Sequence, residues 1–278
     1  MKLLLPFIAM LATASATTIR TLYPFSNSTW LENLALTSNS SLLVTVFGQI
    51  AHDVFAVAVG SITPSNSPIK GSFSIWSIDI SNCLHPAKIN KIVDLQNMSM
   101  VNGITLLNPS TLLLADSWAG NIVALDLHTQ AYKVLVRDEG LKPDFNRTTS
   151  PLGVNGLRFH AQTSYLYYTN TVQNLLGRVK VDAHSGTPIA PFEIIARGGQ
   201  VSGPDDFAVR RDGSVVLVRP IADSVQIVGL DGKGRKVGMV AGGTSVVLAD
   251  GGRKAYVSTS TLVGGEVVGR GKVVEIKF

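Results

Sequence analysis

The sequence predicts an all-β fold, on three observations. Runs of four to seven residues rich in Val, Ile, Leu, Tyr and Thr recur from LLVTVF through TLLLAD, YLYYTN and SVVLV to KVVEI, separated by Gly, Asp, Asn, Pro and Ser. That length and β-branched content suit strands. No amphipathic helical pattern of about 12 residues or more follows the N-terminal segment. The third observation is a repeat: VNGITLL at residue 101, VNGLRF at 154 and PDDFAV at 204 each open a similar succession of strands, about 50 residues apart. Each unit runs polar residue, apolar strand, turn and further strands. Four short strands in such a unit make one blade of a ring, so a six-bladed β-propeller is expected.

Taken in order, residues 1–16 read as a signal peptide, with Lys2 as its positive start, an apolar core from Leu3 to Leu11 and an Ala14-Ser15-Ala16 cleavage site. Residues 17–278 then form a single propeller domain. The apolar core falls short of the roughly 20 residues that span a bilayer, so the expected route is secretion with no membrane partner. Four N-x-S/T acceptors for glycosylation, at Asn27, Asn39, Asn97 and Asn146, agree with that route and place those residues in accessible loops. Blades are expected at 29–47, 53–82, 101–136, 154–195, 204–240 and 244–278. The first two are shortened, because the stretch from Glu32 to Asn102 is too short for two full units.

Composition excludes several classes. Of 278 residues 45% are hydrophobic and 15% charged, which suits a folded domain with a large core. The formal net charge of +5 comes from scattered residues, so nucleic acid is not an expected partner. Cys83 is the only cysteine, which rules out an intramolecular disulfide and reads best as a buried thiol. No G-x-S-x-G, H-E-x-x-H or P-loop pattern occurs, and the five histidines lack ligand spacing. GLDGKGRKVG at 229–238 is expected to be a hairpin turn, and Trp30 and Trp76 packing residues. Arg219 ends SVVLVR and reads either as a channel-mouth residue or as a solvated strand end.

The repeat also predicts a site. In a propeller the innermost strands start near one mouth of the central channel, so the polar residues that precede them converge. These are Glu32 or Asn33, Asn102, Asn155, and Asp205 or Asp206. Carboxylate and amide oxygens without Cys or spaced His suit Ca²⁺ or Mg²⁺ better than Zn²⁺. Alternatively the Asn-Gly and Asp-Asp pairs simply form turns.

Those residues carry a family likeness. The N-G pairs at Asn102 and Asn155, GPDD at Gly203 to Asp206, ADSWAGNIVALDL and the closing GRGKVVEI resemble the regucalcin, gluconolactonase and luciferin-regenerating-enzyme propellers, over most of residues 29–278. The resemblance implies a divalent metal on Glu32, Asn155 and Asp205, with Asn102 beside them and Asp205 as general base in a lactonase. The chain departs from the pattern in having P-D-D where P-D-G is usual. TWLENLAL, LADSWAG, GVNGL and DDFAV are also similar to fungal secreted relatives, among them hetero-Diels-Alderases that join an o-quinone methide to a terpene alkene. That second likeness sets the favoured expectation: a secondary-metabolite enzyme of the hetero-Diels-Alderase type acting on a small molecule without a required cofactor. Glu32 and Asp205 would be catalytic, and Asn102, Trp118, Asn155 and Asn170 would bind substrate. A metal-dependent lactone hydrolase and a non-catalytic ligand-binding propeller are the alternatives.

Overall fold

The computed structural model describes residues 17–27, 34–36, 42–44, 47–63, 67–82, 84–146, 151–260, 262–263, 266–267 and 270–278. The chain starts with β1 (Thr18–Asn27) and a short antiparallel pair, β2 (Leu34–Leu36) and β3 (Leu42–Val44). Three four-stranded antiparallel blades follow. They are β4 (Phe47–Ala51), β5 (Val54–Val59), β6 (Ser74–Asp79) and β7 (Lys88–Asp94); β8 (Val101–Asn108), β9 (Thr111–Asp116), β10 (Asn121–Asp126) and β11 (Tyr132–Arg137); and β12 (Val154–His160), β13 (Tyr165–Asn170), β14 (Leu175–Lys180) and β15 (Glu193–Arg197). The fourth blade comprises β16 (Phe207–Val209), β17 (Val215–Arg219), β18 (Ser224–Val228) and β19 (Gly234–Met239). The fifth begins with β20 (Gly243–Ala249) and β21 (Lys254–Thr259), passes the two-residue strands β22 (Leu262–Val263) and β23 (Glu266–Val267), and continues with β24 (Arg270–Lys277). Its fourth strand is β1, paired antiparallel with β24 from Thr18↔Lys277 to Asn27↔Arg270. The two ends of the chain thus close the ring by sharing one sheet.

The expectation of six blades is corrected by this topology: the propeller has five four-stranded blades. Among the described residues the segment expected to form the first blade contributes β2 and β3, which form a two-stranded sheet. Strand β2 touches β20 on one side and β4 on the other, so it spans the gap between the last blade and the first. The blade expected at 53–82 extends in fact from Phe47 to Asp94, because β7 lies beyond the expected boundary. Its exposed, Lys-rich sequence KINKIVD carries no apolar run to mark it.

The core lies between blades, and the second strand of each blade shows why. In β9, Leu112 and Leu114 pack toward the first blade with Ile75, Leu95 and Met98, whereas Leu113 and Ala115 pack toward the third with Val154, Leu157 and Tyr168. In β17, Val215 and Leu217 face the third blade and Val216 and Val218 the fifth. A strand buried on both faces cannot alternate apolar with polar residues, so TLLLAD and SVVLV read as continuous apolar runs. Outer strands meet a neighbour along one edge only and stay polar. The described helical structure is four 3₁₀ turns, and none of it is long and apolar enough to cross a membrane.

Candidate functional site

The inner strands β4, β8, β12, β16 and β20 stand side by side in ring order with β2 between β20 and β4. Their starts approach closely because two glycines leave no Cβ. A Cβ on Gly103 would collide with the backbone of Asn155 and Gly156, and one on Gly156 would lie 2.9 Å from the Asp205 carbonyl oxygen. Asn102-Gly103, Asn155-Gly156 and Asp205-Asp206 therefore occupy one level of the channel on adjacent strands. The Asn-Gly pairs set this contact and do not form hairpin turns; both lie within strands.

Where the first two copies carry glycine, the next carries Asp206. Its carboxylate is buried, with Oδ2 accepting from the Arg158 guanidinium at 2.5 Å and from the Ser245 hydroxyl at 2.5 Å. These three side chains tie β12, the lead-in to β16, and β20 together. Among the described residues two oxygens at this level have no donor: Asp206 Oδ1 and Asn155 Oδ1, each fully buried. Asn155 is held from its other side, since its Nδ2 donates to Thr171 Oγ1 at 2.8 Å and that hydroxyl donates to the Pro204 carbonyl at 2.8 Å. The neighbouring Thr169 hydroxyl accepts from Gly156 N–H and donates to the Asp205 carbonyl. Asp205 and Asn102 are half-buried on the same rim.

The other expected site residues stand elsewhere. Asn170 is fully buried and its amide holds backbone, with Nδ2 donating to the Gly140 and Lys142 carbonyls at 2.9 Å and Oδ1 accepting from Gln173 N–H at 3.0 Å. Trp118 sits in the turn between β9 and β10, its ring edge-on to Phe145 at 5.7 Å, with a buried indole N–H that has no acceptor among the described residues. Glu32, Asn33, Asn39, Trp30 and Cys83 lie outside the described residues, as does the segment 1–16. Strand β1 includes Asn27, and both Asn97 and Asn146 are exposed. Arg219 does not line the strand starts; it donates to the Gly199 and Gln200 carbonyls and to Ser224 Oγ. The segment 229–238 is the expected hairpin, closed by Gly229 N–H to the Lys233 carbonyl at 3.0 Å.

Sequence reasoning missed Arg158, Thr169, Thr171 and Ser245. Arg158 carried a readable signal, because a cation in the inner strand NGLRF needs a buried counter-charge, and Asp206 is the extra carboxylate of the repeat.

The divalent metal implied by the family likeness was tested against this donor set. Asn155 presents an undonated carbonyl oxygen, oriented through its Nδ2, and Asp205 is on the adjacent strand, which suits a hard cation in kind. Asp206 is committed to Arg158 and Ser245 through Oδ2. Among the described residues no cluster of three His, Cys, Asp or Glu side chains could hold an ion. Any such ion would therefore depend on amide oxygen and on Glu32.

No protein-family model matches the sequence, and no curated protein matches it either. Solved structures do. Regucalcin from Agrobacterium tumefaciens, described as a calcium-binding protein, is 14% identical with a TM-score of 0.56, covering 92% of this chain and 95% of its own. A putative 6-phosphogluconolactonase from Bacteroides fragilis is 13% identical with a TM-score of 0.52, covering 90% and 76%. A chain of the nidogen/laminin complex is 15% identical with a TM-score of 0.59, covering 95% and 99%. The fold class is thus that of the β-propellers, regucalcin-like and lactonase-like proteins among them. At this identity the likeness defines architecture and leaves the chemistry to the site.

Proposed function

We propose that the chain is an enzyme acting on a small organic molecule at the channel mouth, and that its reaction is the hydrolytic opening of a lactone. The observation that carries this reading is the pair of buried acceptors that have no donor among the described residues, Asn155 Oδ1 at the start of β12 and Asp206 Oδ1 on the lead-in to β16. Buried acceptors are normally satisfied, so the missing group is one that brings donors or positive charge. A polyhydroxylated lactone brings hydroxyl donors, and a divalent ion held by Asn155, Asp205 and Glu32 would polarise the lactone carbonyl. Asp205, half-buried on the rim, takes a proton from water as its oxygen bonds to the carbonyl carbon. The ring C–O bond then breaks as Asp205 returns that proton to the leaving ring oxygen, which departs as an alcohol, and the new carboxylic acid loses its remaining proton to solvent. Asn155, fixed by Thr171, aligns the substrate.

The test is acid release from gluconolactone-type substrates with Asp205→Asn and Asn155→Ala. Loss of about 10²-fold or more in kcat is expected for Asp205→Asn, and removal of divalent ions should lower the rate of the intact protein. Full activity in Asp205→Asn would overturn the assignment.

A second reading, a hetero-Diels-Alderase type of cyclase, is favoured by the motif set LADSWAG, GVNGL and DDFAV and by the neutralisation of Asp206. With that carboxylate paired to Arg158, the rim keeps less negative charge and suits a neutral, conjugated reactant whose reaction gains from orientation and exclusion of water. Incubation of an o-quinone methide precursor with a terpene alkene, read by chiral chromatography, separates the two. A product ratio identical with and without protein removes the cyclase. A protein that turns over neither substrate but binds one of them is a non-catalytic propeller.

A further inference from the structure

A second cleft lies apart from the inner strand starts, against the fourth blade. Its cavity of about 470 Å³ is lined by Arg219, Gln226, Lys233, Lys236, Gly234 and Gln200, with Gly199 at its edge. Small-ligand sites fall in this range of volume. The strand register explains the grouping. Arg219 faces Ser224 across β17 and β18, Gln226 is two residues further along β18, and Lys236 faces Gln226 across β18 and β19. Residues two apart share a face, so the side chains converge on one side of the blade. Gly234, two residues before Lys236, adds no side chain, and a Cβ there would stand 3.2 Å from the Gln226 side-chain oxygen. Gln226 is buried and donates through Nε2 to the Gln200 carbonyl, which fixes the cleft floor.

The charge of this cleft is one-sided. Among the described residues neither Arg219 nor Lys236 has a carboxylate partner, and the only acidic neighbour is Asp231, 3.5 Å from Lys233 and exposed. Arg219 is half-buried, and its guanidinium meets only carbonyls and a hydroxyl. Burial without a counter-charge pushes its pKa down. A cation partly removed from water and left unpaired is costly unless an anion joins it. A concave wall of like charge also concentrates anions from solution.

We propose that this cleft binds a small molecule through an oxyanion ester group, a phosphate or a sulfate. Arg219, held by the Gly199 and Gln200 carbonyls and Ser224 Oγ, supplies fixed positive charge and its remaining N–H, and Lys233 and Lys236 close over the charge. The site is separate from the channel mouth and independent of the reaction there.

Titration calorimetry of the full chain at constant ionic strength tests this with glucose 6-phosphate, glucose 6-sulfate and glucose as probes. Binding of one or both esters, with no heat from glucose, is expected, and the two esters distinguish phosphate from sulfate. Lys233→Gln/Lys236→Gln, two exposed positions that leave the fold intact, should weaken the ester by about tenfold or more. Arg219→Lys should weaken it further while keeping the charge. The proposal is overturned if neither ester binds better than glucose, or if the double lysine variant binds the esters as tightly as the parent.

Discussion

At the scale of single residues, the pair of half-buried Arg158 with buried Asp206 dominates the channel. Removing one member of such a pair leaves an uncompensated charge, whereas replacing both with apolar groups is often neutral. Arg158→Met should therefore lower unfolding free energy by about 3–5 kcal/mol, and Arg158→Met/Asp206→Leu should recover most of it. Urea unfolding of the three proteins checks this; a double variant no better than the single would deny the coupling. Tyr168 offers a pH handle. Its side chain is buried and, with Asp138 adding to the effect, its pKa is raised above the ordinary 10.0 of a phenol. The folded state thus holds the proton at pH values where the unfolded chain has lost it. The stability that the protonated phenol contributes is complete below about pH 10 and declines above it, as the pH rises toward the folded-state value. Thermal unfolding between about pH 9 and 11 should show a steeper alkaline loss for the parent than for Tyr168→Phe.

At the scale of elements, the last residue of the second strand repeats one role with three chemistries. Asp116, ending β9, accepts from the Ser99 and Met100 N–H groups of the linker before its blade. Asn170, ending β13, donates to the Gly140 and Lys142 carbonyls of the next linker, and Arg219, ending β17, donates to the Gly199 and Gln200 carbonyls of the one after. Each side chain clasps the linker that enters its own blade, and the charge type follows whether that linker presents N–H or C=O. Asn170→Leu strands the Gly140 carbonyl and the Gln173 N–H, while Gln173 Nε2 still donates to the Lys142 carbonyl, and should cost about 1–3 kcal/mol for each stranded group that stays dry. The same substitution should leave the starts of β12 and β16 in place, so a ligand at the mouth would bind with little change. Hydrogen exchange confined to residues 138–146 and 170–174 would locate the damage; uniform exchange would contradict a local clasp.

The clasp explains why Asn170 looked like a site residue in the sequence. Position in the repeat places it at the correct end of the propeller, but hydrogen bonding to a non-local linker turns it away from substrate. Asn102 and Asn155 were legible because they recur at one position of the repeat; that their glycines serve close strand approach, in place of a turn, was not. Second strands were legible because burial on both faces leaves unbroken apolar runs. Strands β7, β15 and β19 were not, since an outer strand is exposed and its composition approaches that of a loop.

At the scale of the whole molecule, closure depends on β1. It covers the outer edge of β24, and Arg20 reaches Glu275 at 3.3 Å across that seam. Without β1 the fifth blade would expose an open strand edge, which favours association between chains. A chain lacking residues 17–27 should melt at lower temperature and form oligomers visible by light scattering; an unchanged melt would show that the seam is dispensable. Asn97 and Asn146 stand exposed in N-x-S/T acceptor sequences. Secretion from a eukaryotic host should therefore add glycan mass that Asn97→Gln/Asn146→Gln removes in part.

By itself the sequence determined what local physics controls: strands, from β-branched runs of limited length; and a repeated blade, from a period of about 50 residues, whose matching positions put Asn102, Asn155 and Asp205 ahead of successive inner strands. Only the tertiary structure decided the number of blades, because β1 pairs with β24 from the other end of the chain and β2 and β3, among the described residues, form a two-stranded sheet of their own. It also decided which aspartate is committed. Asp205 and Asp206 are adjacent and chemically identical, and only the arrival of Arg158 and Ser245 from two other strands buries one as an ion pair while the other stays on the rim.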